Sequence, residues 1–148
     1  MAAVKTPRRR AREFVVQGLY QWQLNPELSA TTIEKNLQEN EYFAKADIEL
    51  FRAVFYGVHK NRPAYLELVA PLLDRPAEEV SPVELSILLM ACFELKEMPE
   101  TPYPVIINEA IETAKVYGAT DGYKFVNGII DKLAVNLRAE EVSFKSKQ

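Results

Sequence analysis

Residues that hold metals or form covalent cross-links are almost absent from this chain. Its 148 residues include one cysteine, Cys92, and one histidine, His59. This excludes a disulfide framework within the chain, and it leaves zinc and haem sites without the spaced ligands that they require. Glycine-rich phosphate-binding signatures and the GxSxG signature of hydrolases are also missing. A serine–histidine–aspartate triad would depend on His59 in the middle of a predicted helix, so we expect no catalysis and no cofactor.

Long apolar segments are missing as well. No run approaches the roughly 20 apolar residues that cross a bilayer, and the N-terminus lacks the apolar segment of a secretory signal. We therefore expect a cytoplasmic protein without a membrane partner. With 48% apolar and 26% charged residues, the chain can bury a core and form a single domain.

Prolines and polar caps divide the first half of the sequence into four predicted helices. Thr6 and Pro7 suit an N-cap and a first helical position, and Asn25-Pro26 ends the first helix. The second helix is predicted after Ser29, the third over residues 47–60 and the fourth from about residue 62. The first helix has one apolar face at helical spacing, formed by Ala11, Phe14, Val15, Gly18, Leu19 and Trp22.

Three more helices are predicted in the second half. A capping box over residues 81–84 starts the fifth helix, and residues 85–95 are apolar on nearly every side, which is typical of a buried central helix. The sixth helix is predicted over residues 104–117, and the seventh runs from an N-cap at Asp121 to about Arg138.

These patterns predict an all-α fold, because no segment alternates with the period of a strand. We expect about seven helices in one compact domain, residues 1–148, with flexible ends at 1–5 and 140–148. A composition shift near residue 76 indicates two helical halves within that domain.

Charge is distributed very unevenly along the chain. Five cations precede the first acidic residue, Glu13, and the rest of the chain carries 13 lysines and arginines against 21 aspartates and glutamates. We call these five cations the basic arm: Lys5, Arg8, Arg9, Arg10 and Arg12. Such a run is compatible with a solvated tail, a membrane-surface anchor or a nucleic-acid contact. The first turns of a helix disfavour cations, by roughly 0.3–1 kcal/mol each at low salt, so function is a reasonable cause of this placement.

An aromatic residue follows the arm on the same helix. At about 100° per residue, Arg9, Val16 and Tyr20 are predicted to point away from the apolar face. Tyr20 would then be exposed beside a guanidinium, an arrangement that suits single-stranded RNA. The alternative is that Tyr20 packs against a neighbouring helix.

The start of the seventh helix has several polar and aromatic residues. Lys115 and Lys124 can extend a basic surface, and Phe125 suits either the core or the rim of a binding site. Gly128 lies inside the helix, where glycine costs about 1 kcal/mol relative to alanine, so we expect a close helix–helix approach there.

Five segments taken together resemble the NusB transcription antitermination family. They are residues 8–13 (RRRARE), 18–22 (GLYQW), 93–95 (FEL), 107–115 (INEAIETAK) and 124–133 (KFVNGIIDKL). The match extends in order over essentially the whole chain, although residues 26–80 match only in pattern.

The resemblance implies two small helical bundles that bind the boxA element of nascent bacterial RNA. It implies a protein partner, the ribosomal protein NusE, and a place in the antitermination complex of RNA polymerase on ribosomal RNA operons. RNA-binding residues by position are Arg8, Arg9, Arg10, Arg12, Tyr20, Lys115, Asp121, Lys124 and Phe125. Glu79 and Glu84 would face the protein partner. The family includes monomers and homodimers, and the sequence does not distinguish them.

Two other functions remain open at this point. A NusB-like domain also precedes the catalytic domain of some ribosomal RNA cytosine methyltransferases, and a basic arm can bind an acidic protein instead of RNA. Binding of a methyl donor would favour the first, and RNA competition for the arm would test the second.

Overall fold

The computed structural model describes residues 5–146, so residues 1–4 and 147–148 of the predicted flexible ends lie outside the described residues. The described part contains eight α-helices, three short 3₁₀ turns and no strand, which confirms the all-α prediction. The helices are α1 (Pro7–Leu24), α2 (Ala30–Leu37), α3 (Ile48–Lys60), α4 (Arg62–Val69), α5 (Pro82–Glu97), α6 (Tyr103–Tyr117), α7 (Gly122–Leu137) and α8 (Ala139–Ser146). The 3₁₀ turns cover Glu41–Lys45, Ala70–Leu72 and Ala77–Glu79.

Side-chain caps fix four of the helix starts. Thr6, Ser29, Asp47 and Ser81 each accept a hydrogen bond from a backbone N–H in the first turn of α1, α2, α3 and α5. Each bond satisfies one of the donors that a helix start leaves free. These boundaries agree with the predicted ones. Asp121 differs, because it precedes α7 but its side chain makes no capping bond.

Two helices lie at the centre of the domain. Every residue of α5 from Leu85 to Leu95 is buried, as predicted, because α1, α3, α4, α6 and α7 all pack against it. α1 is also buried almost continuously from Ala11 to Leu19, which the single predicted apolar face does not describe. Around these two helices, α2 and α3 pack on α1, while α6 and α7 pack on α5 and on each other.

Two glycines allow α3 to pack closely against the two central helices, α1 and α5. A Cβ on Gly18 of α1 would lie 2.8 Å from the Phe55 ring of α3, and a Cβ on Gly57 would collide with Phe93 of α5. Gly128 is different, since a Cβ there would meet nothing within 4 Å. The close approach predicted at Gly128 is therefore wrong.

Arg138 joins the end of α5 to the C-terminal part of the chain. Its Nε donates to the Leu95 carbonyl at 2.7 Å, and its Nη atoms donate to the carbonyls of Met98 at 2.9 Å and Thr101 at 3.0 Å. The guanidinium thus supplies donors to carbonyls at the end of α5 and in the segment that follows it. The same side chain binds Glu141 of α8 at 2.7 Å, which positions a helix that the sequence did not predict.

Candidate nucleic-acid interface

The basic arm forms the exposed start of α1, where Thr6 Oγ1 accepts from the Arg9 N–H at 3.1 Å. Carboxylates face four of its five cations. Lys5 pairs with Glu13 at 2.8 Å, and Arg8 lies 3.7 Å from Asp47. The first turn of α1 has no acidic residue. Carboxylates from later in the chain therefore compensate much of the charge of the basic arm.

Arg12 is the cation of the arm whose side chain is buried in the core. Only 2% of the residue is exposed, and its Nε and Nη2 donate to the Glu94 carboxylate of α5 at 2.8–3.2 Å. This is a bidentate pair, the geometry that most favours arginine with a carboxylate. A phosphate cannot reach Arg12 in this arrangement, so the contact predicted for it would require the pair to open.

Arg9 keeps partial access to solvent while it binds α6. Its Nε and Nη2 donate to the two Glu109 oxygens at 3.0 and 3.2 Å. That hydrogen bond, more than any other cause, raises the pKa of the Arg9 side chain above its usual value. An incoming phosphate would compete with Glu109 for the same guanidinium edge.

Tyr20 is 38% exposed, as predicted, but no cation lies on its ring among the described residues. The prediction for Val16 is wrong, because Val16 is buried. Gln17 next to it donates to the Tyr117 hydroxyl at 2.8 Å, and this contact brings α6 over the side of α1 that was expected to face solvent. Tyr20 lines a groove of about 640 Å³ instead, together with Gln21, Leu24, Val83 and Tyr117 among others.

The remaining predicted RNA residues lie along α6 and the start of α7. Asp121 and Lys124 form an exposed ion pair at 3.4 Å. Phe125 is half-buried, and the Arg75 guanidinium lies 5.1 Å from its ring centroid. Arg75 was not predicted, because it comes from the loop before α5 and only the fold brings it to Phe125.

Lys115 links this region to the basic arm. It lies 3.7 Å from Glu112, one turn after Glu109, and 5.2 Å from the ring centroid of Tyr123 on α7. Residues three apart on a helix share a face, so Glu109, Glu112 and Lys115 place charges of both signs along α6 between Arg9 and α7. The structure thus brings the two ends of the sequence that carry predicted RNA residues onto one surface.

The two predicted protein-partner residues lie in the first turn of α5 and in the 3₁₀ turn before it. Glu79 is exposed at the end of a 3₁₀ turn, and Glu84 lies in the first turn of α5 next to the groove residue Val83. Ser81 accepts from the Glu84 N–H at 3.3 Å, which is one half of the predicted capping box. The Glu84 carboxylate turns to the start of α7, where an oxygen lies 3.0 Å from the position of a Cβ on Gly122.

Tyr42, an aromatic residue beside the basic arm, was not predicted as part of the site. The Arg10 guanidinium lies 4.8 Å from the ring centroid of Tyr42, and the Lys45 ammonium lies 5.2 Å from the same centroid. Tyr42 is 43% exposed. Its only local signal was an adjacent pair of aromatic residues, Tyr42 and Phe43, within a polar segment.

Other kinds of site are not found in the described part of the chain. Residues 5–146 contain no group of three or more histidine, cysteine or acidic side chains arranged to hold a metal ion. None of the described helices is long and apolar enough to cross a membrane.

Known proteins match nearly the whole chain. A relative from Chromobacterium violaceum called "Transcription antitermination protein NusB" is 60% identical over 139 residues, which cover 94% of this chain and 93% of that protein. A relative of the same name from Neisseria gonorrhoeae is 54% identical over 138 residues, covering 93% of this chain and 97% of that protein. The solved structure of T. maritima NusB superposes with a TM-score of 0.81 at 32% identity, covering 95% and 99% of the two chains.

The family model described as "NusB family" matches residues 9–135, from the basic arm to the end of α7. The match therefore includes most of the arm, the α6 charges and the start of α7. The chain belongs to the NusB family.

Proposed function

We propose that the protein is a transcription antitermination factor that binds boxA-type single-stranded RNA together with NusE, and so keeps RNA polymerase transcribing ribosomal RNA operons. The family match and the relatives' names support the antitermination role. The observation that carries RNA binding is the connected surface that runs from the basic arm along α6 to Lys124 and Phe125. Its cations and rings suit the phosphates and unstacked bases of a single strand.

The exposed arginines can exchange a protein carboxylate for a phosphate. Partly exposed ion pairs contribute only about 0–1 kcal/mol, so the Arg8 and Arg9 pairs oppose RNA weakly. Arg12 differs because its pair is buried. The other four cations of the arm can then bind phosphates. A plot of the logarithm of RNA affinity against the logarithm of salt concentration should therefore have a slope of about −2.8.

The groove beside α1 is the proposed site of the protein partner. Val83, next to Glu84, lines it, and Leu24 leaves an apolar side chain exposed at its wall. The Gln21 Oε1 atom is buried without a hydrogen-bond partner in the described structure. Buried polar atoms without partners are rare, and a donor from a bound partner would satisfy this acceptor if the Gln21 amide turned into the groove. Tyr20 lies on the groove, so it can serve the partner as well as RNA.

The central experiment compares two RNA strands. Affinity for a boxA-like strand and for a scrambled strand is measured with and without NusE over a salt series. We expect tighter binding of the boxA-like strand in the presence of NusE. Equal affinity for both strands in every condition would defeat the antitermination proposal, and binding of a methyl donor would favour the methyltransferase alternative.

Variants separate the two surfaces. Arg9→Ala with Arg10→Ala should weaken RNA binding and make the salt slope shallower by about 1.4, while NusE binding is kept. Lys35→Ala with Lys60→Ala is the matched control, since it removes the same charge from exposed positions on α2 and α3. Leu24→Asp should weaken NusE binding and leave RNA binding without NusE unchanged. If either the arginine variant or Leu24→Asp lost both RNA binding and NusE binding, the two binding sites would not be the separate surfaces proposed here.

A further inference from the structure

Tyr42 is held rigidly although its ring faces solvent. The next residue, Phe43, is buried, and its ring meets Phe14 of α1 at 5.1 Å and Phe51 of α3 at 5.2 Å between centroids. Asn40 Oδ1 accepts from the Tyr42 N–H at 2.8 Å, which fixes the start of the 3₁₀ turn. The aromatic anchor beneath therefore holds the backbone that presents Tyr42.

The same turn is attached to the start of α1. The Asp47 N–H donates to the Pro7 carbonyl at 2.9 Å, and the Asp47 carboxylate lies 3.7 Å from Arg8. The segment that carries Tyr42 is thus joined to the start of α1 by the main chain and by the side chain of Asp47. These two contacts set the position of Tyr42 relative to the arm.

The two cations on the Tyr42 ring have no carboxylate of their own. Arg8, Arg9 and Arg12 each face an acid. Arg10 and Lys45 form no ion pair within residues 5–146, and both cations lie near the Tyr42 ring. A cation near an exposed ring contributes little to folding, about 0.5–1 kcal/mol in general, so both charges remain available to an anion.

We propose that Tyr42, Arg10 and Lys45, which we call the Tyr42 platform, form a stacking site for one nucleotide of the RNA strand. The base would lie on the Tyr42 ring and the flanking phosphates would bind Arg10 and Lys45. Lysine has a flexible four-carbon chain, so Lys45 can leave the ring face for the phosphate as the base arrives. This inference rests on the proposed function, and it extends the RNA path from α1 to the turn before α3.

RNA fits this chemistry better than an acidic protein segment does. Carboxylates would use the two cations but not the ring beside them, whereas every nucleobase has a face that stacks on an aromatic side chain. Stacking tolerates any base. The platform is therefore expected to strengthen binding of boxA-like and scrambled strands by similar factors.

The test uses the full chain and strands that carry 2-aminopurine, whose fluorescence falls on stacking, at each position in turn. Tyr42→Leu removes the ring and should weaken binding of both strands about 10-fold, within the range expected for one stacked base. Tyr42→Phe keeps the ring and should bind within about twofold of the parent chain. Lys45→Gln should make the salt slope shallower by about 0.7. Phe144→Leu is the control, an aromatic on α8 that is 64% exposed.

Quenching supplies a second readout. At least one 2-aminopurine position should be quenched by the parent chain and by Tyr42→Phe, but not by Tyr42→Leu. Equal affinity and equal quenching in the parent chain and Tyr42→Leu would overturn the platform, whatever the preference between strands. Equal affinity of the parent chain for the two strands would instead defeat the antitermination proposal and leave the platform standing. If Tyr42→Leu keeps RNA binding but loses a polyglutamate peptide, the platform binds acidic protein and the inference is wrong.

The variants must be folded for these comparisons. Tyr42 is exposed, so Tyr42→Leu should unfold within a few degrees of the parent chain in a thermal melt. If Tyr42→Leu unfolds at a much lower temperature, Lys45→Gln, which alters no buried contact, still tests the platform through the salt dependence of its RNA affinity. An unchanged slope in that variant would overturn the role given to Lys45.

Discussion

Removing the Arg12 side chain should destabilise the fold strongly and for an electrostatic reason. The Glu94 carboxylate is 1% exposed, and Arg12→Ala removes its bidentate partner. Leaving one member of a buried pair without the other costs about 3–5 kcal/mol. Domains of this size unfold with about 5–15 kcal/mol, so the variant should keep only part of its stability. At about 2–4 °C per kcal/mol, its unfolding midpoint should fall by roughly 6–20 °C.

Urea unfolding followed by circular dichroism measures this change. Arg12→Ala is compared with Arg12→Met combined with Glu94→Met, in which both charges are replaced by apolar side chains of similar length. Because replacing a whole buried pair is often neutral or stabilising, we expect the double variant to recover most of the lost free energy of unfolding. Similar slopes of free energy against urea in all three proteins would show that compactness is unchanged.

The same double variant tests whether Arg12 takes part in RNA binding. If the pair is purely structural, the folded double variant should bind the boxA-like strand within about twofold of the parent chain. A loss of tenfold or more, about 1.4 kcal/mol, would mean that the pair opens and that Arg12 meets a phosphate. A cost below about 1 kcal/mol for Arg12→Ala would refute the reasoning itself, since Glu94 would then have another way to satisfy its charge.

Three further changes test other parts of the structure. Gly128→Ala should stabilise the protein by about 1 kcal/mol, and a lower midpoint in calorimetry would reveal a close neighbour that the fold does not show. Arg138→Lys should cost at least about 2 kcal/mol in urea unfolding, because one ammonium cannot replace a guanidinium that reaches several carbonyls. A stability equal to the parent chain would contradict the role given to Arg138. Burial raises the pKa of the Cys92 thiol to about 12. The unfolded chain loses this proton at lower pH, so stability should fall as pH rises above about 9, and the fall from pH 7 to about pH 10.5 should be about 2 kcal/mol smaller in Cys92→Ala.

Features that depend on neighbouring residues were predictable from the sequence. The starts of α1, α2, α3 and α5 follow from capping residues that accept from N–H groups three positions later. The burial of α5 follows from apolar residues around its whole circumference. In each case the interaction that fixes the structure lies within a few residues of the signal.

Features that depend on distant residues were not predictable. Arg12 has the same local surroundings as the other arginines of the arm, and only Glu94, 82 residues later, marks it as buried. The position of Tyr42 depends on contacts of Phe43 with α1 and α3. α8 is tied to the rest of the fold by the contact of Glu141 with Arg138, a residue that itself binds carbonyls some 40 positions earlier. Asp121 has the residue type of a cap, yet it pairs with Lys124.

The pairing of Arg12 with Glu94 also sets an order on folding during synthesis. Ribosomes add about 5–20 residues per second, so the 82 residues that separate the partners take between about 4 and 16 s to make. Throughout that interval α1 has neither its ionic partner nor the apolar surface of α5, and most of the stability of a helix in a protein comes from the packing of its apolar face. A nascent chain stalled before Glu94 emerges should therefore be cut readily by proteases within α1. The residues that appear first from the ribosome are among the last to become protected.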